Sequence, residues 1–455
     1  MGNSFAYFII IMWPFFVFGL LLKYGVIFGV CLSFIISYMF LPANYEINIQ
    51  GFPALNKGTA TVISLLVYFI FVKGNLKFFN VGSFSKFVFL LFLLSPLLTA
   101  ITNTERYLHL PGMSLYDGVS LIANNFLVIF PFFIAFKYFK DFDSQLKFFK
   151  LLLFFMLIYS MLILIEIRFS PQLHRIFYGF HPHYFIQQVR EGGYRAVVFL
   201  GHGLLVALLV SIALLTSVLF YKMKRKIFGY NSIYFIIFFL LILFFSKSYG
   251  ALAFGLFGMF VILLFKPAFI FYIAFLSAVV FLLYPFLSVS GLFPHQSIVD
   301  MASSINYDRG QSLAFRFYHE STLLHHAMDK PLFGWGSWGR NRIYDPVTFR
   351  DLSVTDGRWI IVLGTRGLVG FITEYYFIVL SLFLTLFLAR KASYFKKEEV
   401  ILMSGHALMI SFILIDQVPN SSLNYFYWFF IGIYYSRIYQ LLKDFKEASR
   451  GKKVA

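Results

Sequence analysis

The chain has 455 residues, 60% of them hydrophobic, 22% aromatic and only 13% charged, with a formal net charge of +18 and a mean hydropathy of +0.79. This excludes a string of soluble domains and points to one integral membrane domain over 1–455. Nucleic acid is not needed to explain the positive charge, because membrane proteins gather cations in their cytoplasmic connections. The one cysteine, Cys31, lies in an apolar run, which excludes an intramolecular disulfide and argues against a Cys-based metal site.

About 20 apolar residues cross a bilayer as a helix. Candidate spans read in chain order as 5–22, 25–41, 59–72, 87–102, 119–136, 148–167, 197–220, 230–246, 249–265, 268–288, 359–389, 400–416 and 422–442. The expected fold is therefore an all-α polytopic bundle of about twelve or thirteen transmembrane helices. The run 5–22 lacks a basic leader and another span follows at once, so it reads as a span and not as a cleavable signal. Only Lys23-Tyr24-Gly25 separates the first two runs. No soluble domain is expected to flank the bundle.

Lysines fall in alternate connections: Lys73 and Lys86, Lys137 to Lys147, Lys222 to Lys226, Lys266, Lys391 to Lys397, and the C-terminal tail. The positive-inside rule assigns these connections, and the C-terminus, to the cytoplasm. The arginines do the opposite. Twelve of sixteen lie in the remaining connections or at adjacent span ends, chiefly in 103–118, 168–196 and the large exoplasmic loop 289–358. Lysines are few on that side: Lys57, Lys247 and Lys330. Arginine's planar fork suits phosphate, so this split points to a site for an anionic group at the outer membrane face. The competing reading pairs individual arginines with Glu191, Asp300, Asp308, Glu320, Asp345 or Asp351, or with lipid headgroups.

Within the large loop, 312–328 reads as an amphipathic helix. Leu313, Phe317, Leu324 and Met328 recur near helical spacing, and Arg316 and Glu320 form an i,i+4 pair on another face. Such a helix would lie along the membrane surface. Next, Gly334, Gly336 and Gly339 spell G-x-G-x-x-G. Without a βαβ context this is no dinucleotide fingerprint. It reads as a tight turn beside Arg340 and Arg342 whose N–H groups would approach a phosphate or sugar.

Asp356, just before the span that opens near Trp359, has two readings. It caps the helix, which spacing alone favours, or it is a boundary carboxylate able to take a proton from a sugar hydroxyl. Ser246-Lys247-Ser248 is either a hairpin tip with a snorkelling lysine or a cation facing the same outer cavity as Arg195. The histidine groups His181/His183 and His325/His326 lack the convergence of four ligands that zinc needs, so no metal is expected. His202, at the mouth of a span, is substrate-facing or an interhelical hydrogen-bonding group. Glu374 and Asp416 lie in or near later spans, where carboxylates serve function or pair with polar neighbours.

Four pieces, in order, resemble the O-antigen ligase and Wzy-type polymerase superfamily of bacterial inner membranes. They are Gly193-Tyr194-Arg195-Ala196 leading through His202 into a span; Ser246-Lys247-Ser248-Tyr249-Gly250-Ala251, with Lys247 where arginine is usual; Ala314-Phe315-Arg316 followed by Asp329-Lys330-Pro331-Leu332-Phe333-Gly334-Trp335-Gly336; and Thr355-Asp356-Gly357-Arg358-Trp359 followed by Gly367-Leu368-Val369-Gly370. The resemblance covers roughly 190–375. It implies a periplasm-facing enzyme of the inner membrane that needs no metal or cofactor. Such an enzyme moves a glycan from undecaprenyl pyrophosphate to an acceptor sugar, with a chain-length regulator as a further partner. Ligases, which use lipid A-core as acceptor, typically carry histidine where this chain has Asp356. The departure shifts the expectation toward polymerisation of O-antigen or exopolysaccharide repeat units. On this reading Arg195 and Arg316 grip the pyrophosphate, Asp356 is the base, and His202, Lys247, Arg309, Gly334, Gly336 and Arg340 assist binding. A flippase for the same lipid-linked glycan is the alternative from another class.

Overall fold

The computed structural model describes residues 2–49, 52–74, 81–190 and 192–454. It is 73% helical, and the described residues contain a single two-stranded hairpin, β1 (Val189–Arg190) against β2 (Gly193–Tyr194). The helices are α1 (Ser4–Phe40), α2 (Lys57–Val67), α3 (Ser83–Ile101), α4 (Leu115–Tyr138), α5 (Phe142–Phe169), α6 (Leu173–Tyr178), α7 (Gly203–Lys222) and α8 (Ser232–Phe245). They continue with α9 (Tyr249–Leu264), α10 (Pro267–Val289), α11 (His295–Ile305), α12 (Tyr307–Met328), α13 (Arg358–Phe383), α14 (Thr385–Lys391), α15 (Lys397–Asp416) and α16 (Tyr425–Val454). Among the described residues, eight helical stretches are long and apolar enough to cross a membrane, and three shorter apolar helices, 57–72, 232–245 and 249–264, add to them. The chain is an all-α polytopic membrane protein.

The first helix is two. Its continuity breaks at Gly25, whose φ of 75° and ψ of 174° leave the helical region, a conformation that glycine adopts without steric penalty. Beyond the break Gly29 packs so closely on the preceding half that an added Cβ would lie 2.8 Å from Leu21 Cα. Both ends then meet α6: the Asn3 N–H donates to Tyr178 O at 2.9 Å, and the Ala43 N–H donates to His174 Nε2 at 3.1 Å. The runs 5–22 and 25–41 thus form a helical hairpin with its tip at Lys23–Gly25.

The connections sort to two ends of the bundle as lysine and arginine usage predicts. At the lysine-rich end, Arg225 pairs with Glu398 at 2.6 Å and Arg437 Nη1 donates to Lys140 O at 2.7 Å. At the arginine-rich end, Lys57 Nζ donates to Phe199 O at 3.0 Å, Asn103 Nδ2 donates to Gly334 O at 2.9 Å, and the Arg358 N–H donates to Asn420 O at 3.0 Å.

α13 is also broken, at Gly367 (φ 62°, ψ −164°). A broken span exposes backbone groups that must find partners inside the protein. The turn after α12 supplies them. The N–H groups of Trp335 and Gly336 donate to Gly364 O and Thr365 O at 2.8 and 2.9 Å, and those of Leu368 and Val369 donate to Pro331 O and Leu332 O at 2.7 and 3.2 Å. This four-bond clasp fixes the large loop to the span that follows it. A Cβ on Gly367 would sit 2.4 Å from Leu332 C, and its backbone angle disfavours any side chain. Gly367→Ala is expected to destabilise the protein by about 2–4 kcal/mol, seen as a lower apparent melting temperature in detergent, whereas Gly19→Ala, with open space around it, leaves the melt near wild type.

Candidate functional site

The segment between α6 and α7 is held by a buried carboxylate. Glu166 Oε2 accepts the N–H groups of Val197 and Val198, each at 2.8 Å, and Oε1 accepts that of Leu173 at 3.0 Å. Tyr159 Oη accepts the Phe199 N–H at 3.0 Å. Irregular backbone at the bundle end is thereby satisfied, as it must be away from water. The segment presents Arg195 and His202. Arg195 is buried, and its Nη2 donates to Lys247 O at 2.8 Å. Lys247 occupies the tight turn between α8 and α9 with φ 49°, and its Nζ donates to Arg190 O at 2.9 Å. Lys247 is thus the tip of a hairpin, with its backbone carbonyl on Arg195 and its ammonium on Arg190 O.

His202 caps α7, its Nδ1 accepting the Leu204 N–H at 3.1 Å. Burial first, then the positive charges of His183, Arg195, Arg190 and Arg316, pushes its imidazole down to about 4, so it is neutral near pH 7. Arg195 and Arg316, which add to this lowering, are 121 residues apart in sequence.

Arg316 projects from α12 into an open cavity between that helix and the start of α13, lined also by His319, Glu320, Asp356 and Val418. Its Nε lies 3.4 Å from Asp356 Oδ2, and both side chains are over one-third exposed. This corrects two expectations. Asp356 is not the cap of α13: Gly357 holds that position and no side chain bonds there, because the carboxylate turns to Arg316. Nor do Arg316 and Glu320 pair. Glu320 turns inward, accepting from Tyr284 Oη at 2.5 Å and Trp359 Nε1 at 3.3 Å, with His295 Nε2 at 3.9 Å. Burial raises its carboxyl to about 7 against the hydrogen bonds of Tyr284, Trp359 and Ser288. Sequence reading offered Glu320 only as a salt-bridge partner; its i,i+4 relation to Arg316 was the signal that both line one cavity. The helix itself starts at Tyr307, earlier than 312, and buries Leu323, Leu324 and Ala327 while Phe315 and Tyr318 stay exposed.

The glycine turn plays another part than expected. Gly334 donates its N–H to Lys330 O within the turn and Gly336 donates to Thr365 O at the break in α13, so neither group is open to a phosphate. Arg340 is 2% exposed, its Nε donating to Trp335 O at 3.0 Å and its Nη1 to Pro111 O at 2.8 Å; it pins two loops together. Arg342 pairs with Asp351 at 2.5 Å, as the competing reading of the arginines has it. The side chain of Arg309 lies outside the described residues. Glu374 is tied to Arg358 at 2.6 Å and to Arg366, and Asp416 accepts from Asn420 Nδ2 at 2.7 Å. Among the described residues no three His, Cys, Asp or Glu side chains gather as a metal site, and His326 instead stacks on Trp335 with ring centroids 4.3 Å apart.

Fold and site together define a polytopic helical membrane protein with an arginine–carboxylate cavity at one end of its bundle. Comparison with protein-family models, with characterised proteins and with solved structures finds no match.

Glu320 makes stability depend on pH. Its folded value lies above its unfolded one, so its burial does not weaken the fold below about pH 4.5 and weakens it increasingly as pH rises toward 7. Wild type is expected to lose up to roughly 3 kcal/mol more than Glu320→Gln between pH 4.5 and 8, measured as the divergence of apparent melting temperatures. Parallel curves would contradict the assignment.

Proposed function

We propose that the protein is a metal-independent glycosyltransferase of the bacterial inner membrane. In this reading it polymerises undecaprenyl-pyrophosphate-linked oligosaccharide repeat units into O-antigen or exopolysaccharide at the periplasmic face. The observation that carries the reading is the Arg316–Asp356 pair in an open cavity at the arginine-rich end of the bundle. The motif order resembling the O-antigen ligase and Wzy-type polymerase superfamily supports it. The lysine-rich end, with the C-terminus, is then cytoplasmic.

In the proposed reaction the acceptor hydroxyl oxygen attacks the anomeric carbon of the donor. The bond from that carbon to the pyrophosphate oxygen breaks, its electron pair goes to the phosphate, and inversion results. Guanidinium groups of Arg316 and Arg195 stabilise the charge developing on the leaving group, which is the largest contribution such a site makes. The acceptor proton passes to Asp356, whose carboxylate the Arg316 contact orients. His202, held neutral, hydrogen-bonds substrate hydroxyls without repelling the cations beside it.

A ligase is disfavoured because an aspartate stands where the resembling ligases carry histidine. A flippase would place its arginines midway along the spans; here the arginines within α13 are neutralised by Glu374, and the pair facing open space is at one end. Arg316→Ala and Arg195→Ala are each expected to lower long-chain glycan by a factor of about 10² or more in a complemented deletion strain, with outward-facing single repeat units accumulating and with protein levels in the membrane unchanged. Wild-type glycan in both variants would end the assignment. Units retained on the inner leaflet would indicate a flippase, and long carrier-linked chains beside bare lipid A-core a ligase.

A further inference from the structure

The hairpin of α8 and α9 is short for the membrane it faces. At 1.5 Å per residue the 14 residues of α8 and the 16 of α9 cover about 21 and 24 Å, against roughly 30 Å of bilayer hydrocarbon. Neither helix can borrow length from its flanks. No charged residue lies between Lys226 and Lys247 or between Lys247 and Lys266, so these three lysines bound the apolar wall. Before α8, Ile227 and Tyr230 exchange backbone hydrogen bonds at 3.0 and 2.9 Å and close a turn. Ser232 Oγ donates to Arg225 O at 2.6 Å, and Lys222 Nζ donates to Ile262 O and Phe265 O. At the other end the turn is tight. Ser246 and Ser248 are buried and Lys247 has φ 49°, so no slack remains to raise the tip.

The neighbouring span sets the scale. α7 packs on both helices, shares their lysine-rich level through Lys222, and its 20 residues run about 30 Å to Gly203. α9 therefore stops about one helical turn short of it. Arg195 bridges that step: its Cδ abuts Gly203, where an added Cβ would overlap it, and its Nη2 donates to Lys247 O at 2.8 Å. Up to the tip the outward surface is apolar, with Tyr234, Ile237, Leu241 and Phe244 of α8 and Leu256 and Phe260 of α9 exposed. Gly255 and Gly258 of α9 already face Leu214 and Leu215 of α7. The exposed face is thus dominated by bulky side chains and not by the small residues through which spans pack, which favours lipid over a second protein copy as its cover.

A bilayer meets a short apolar wall by thinning, by snorkelling of flanking side chains, or by drawing helices together. Snorkelling is already committed here, because Lys247 Nζ is drawn to Arg190 O at 2.9 Å. We infer that the α8–α9 hairpin thins the bilayer beside it and lowers the leaflet at the arginine-rich end to the level of Lys247 and Arg195. Phospholipid head groups then reach the Arg195 segment sideways, without leaving the membrane. The inference goes beyond the glycosyltransferase reading and does not rest on it.

The test is a depth measurement on the full-length protein. Gly250→Cys, with open space around the new side chain, is labelled with bimane; Cys31 is buried and escapes the label. The protein is reconstituted in phosphatidylcholine bilayers, from dimyristoleoyl to dierucoyl chains, carrying a nitroxide either on the head group or at mid-chain. The head-group nitroxide is expected to quench the Gly250→Cys label at least about twofold more than the mid-chain one in every bilayer. The order is expected to reverse for Ile237→Cys, near the middle of α8. Phe244→Cys, at the far end of α8, replaces Gly250→Cys if that variant fails to insert. A tip label that sinks toward the mid-chain nitroxide as the chains lengthen overturns the inference. So does quenching by neither nitroxide, the mark of a second protein copy over the hairpin. A sinking tip with polymer lost in the arginine variants leaves the polymerase reading standing; a pinned tip with wild-type polymer in both leaves the thinning standing.

Discussion

The carboxylate of Glu166, fully buried at the end of α5, determines where the arginine-rich end places its chemistry. It accepts three backbone N–H groups from two chain segments, at Leu173 and at Val197 and Val198. Hydrogen bonds to a charged acceptor are stronger than neutral ones, and leaving these donors unpaired in an apolar setting would be expensive. With the segment tied down, Arg195 on one side and His202 on the other keep fixed positions relative to α7. Lys57 adds to the anchor from α2 by donating to Phe199 O, so this stretch between spans behaves as part of the core.

A second constraint of the same kind works on the opposite wall. The break at Gly367 frees carbonyls and N–H groups inside a span, and the turn 331–336 closes on them. That clasp fixes the far end of α12, while the bond between Tyr284 and Glu320 fixes its middle. Arg316, four residues before Glu320, meets the Asp356 carboxylate at the mouth of the cavity. The arginines of this end thus divide by surroundings. Arg340, Arg342, Arg358 and Arg366 are bound to carbonyls or carboxylates and hold structure; Arg195 is buried with its guanidinium on Lys247 O, and Arg316 faces the open cavity beside Asp356.

Much of this was legible in the sequence wherever the signal was local or statistical. The spans follow from runs of apolar residues, and the two ends of the bundle follow from lysine and arginine placement, because both are set by the bilayer as a solvent. Arg316 and Asp356 stood out as a cation on an amphipathic helix and a carboxylate at a span boundary. What could not be read were choices between partners distant in the chain. The N–H of Gly336 looked available because its acceptor, Thr365 O, sits by a helix break some thirty residues later. Arg340 looked like a ligand group because its acceptor, Pro111 O, lies 229 residues away. The cap reading of Asp356 failed for the same reason: local spacing favours capping, and only the fold brings Arg316 across to compete.

The two carboxylates of the main cavity show how one site separates two roles without a metal. Asp356 is exposed beside a guanidinium; Glu320 is desolvated and bridged by Tyr284 and Trp359. A carboxylate that must accept a proton from a mobile acceptor benefits from exposure and a fixed cation. A carboxylate that must hold α12 in register benefits from burial and from neutral donors that suit either of its protonation states. Exchanging their surroundings would leave a charged group without solvent and a helix without an anchor. The i,i+4 spacing of Arg316 and Glu320 on one helix therefore couples the proposed phosphate grip to the framework: any movement of Glu320 carries Arg316 with it, and with Arg316 the orientation of Asp356.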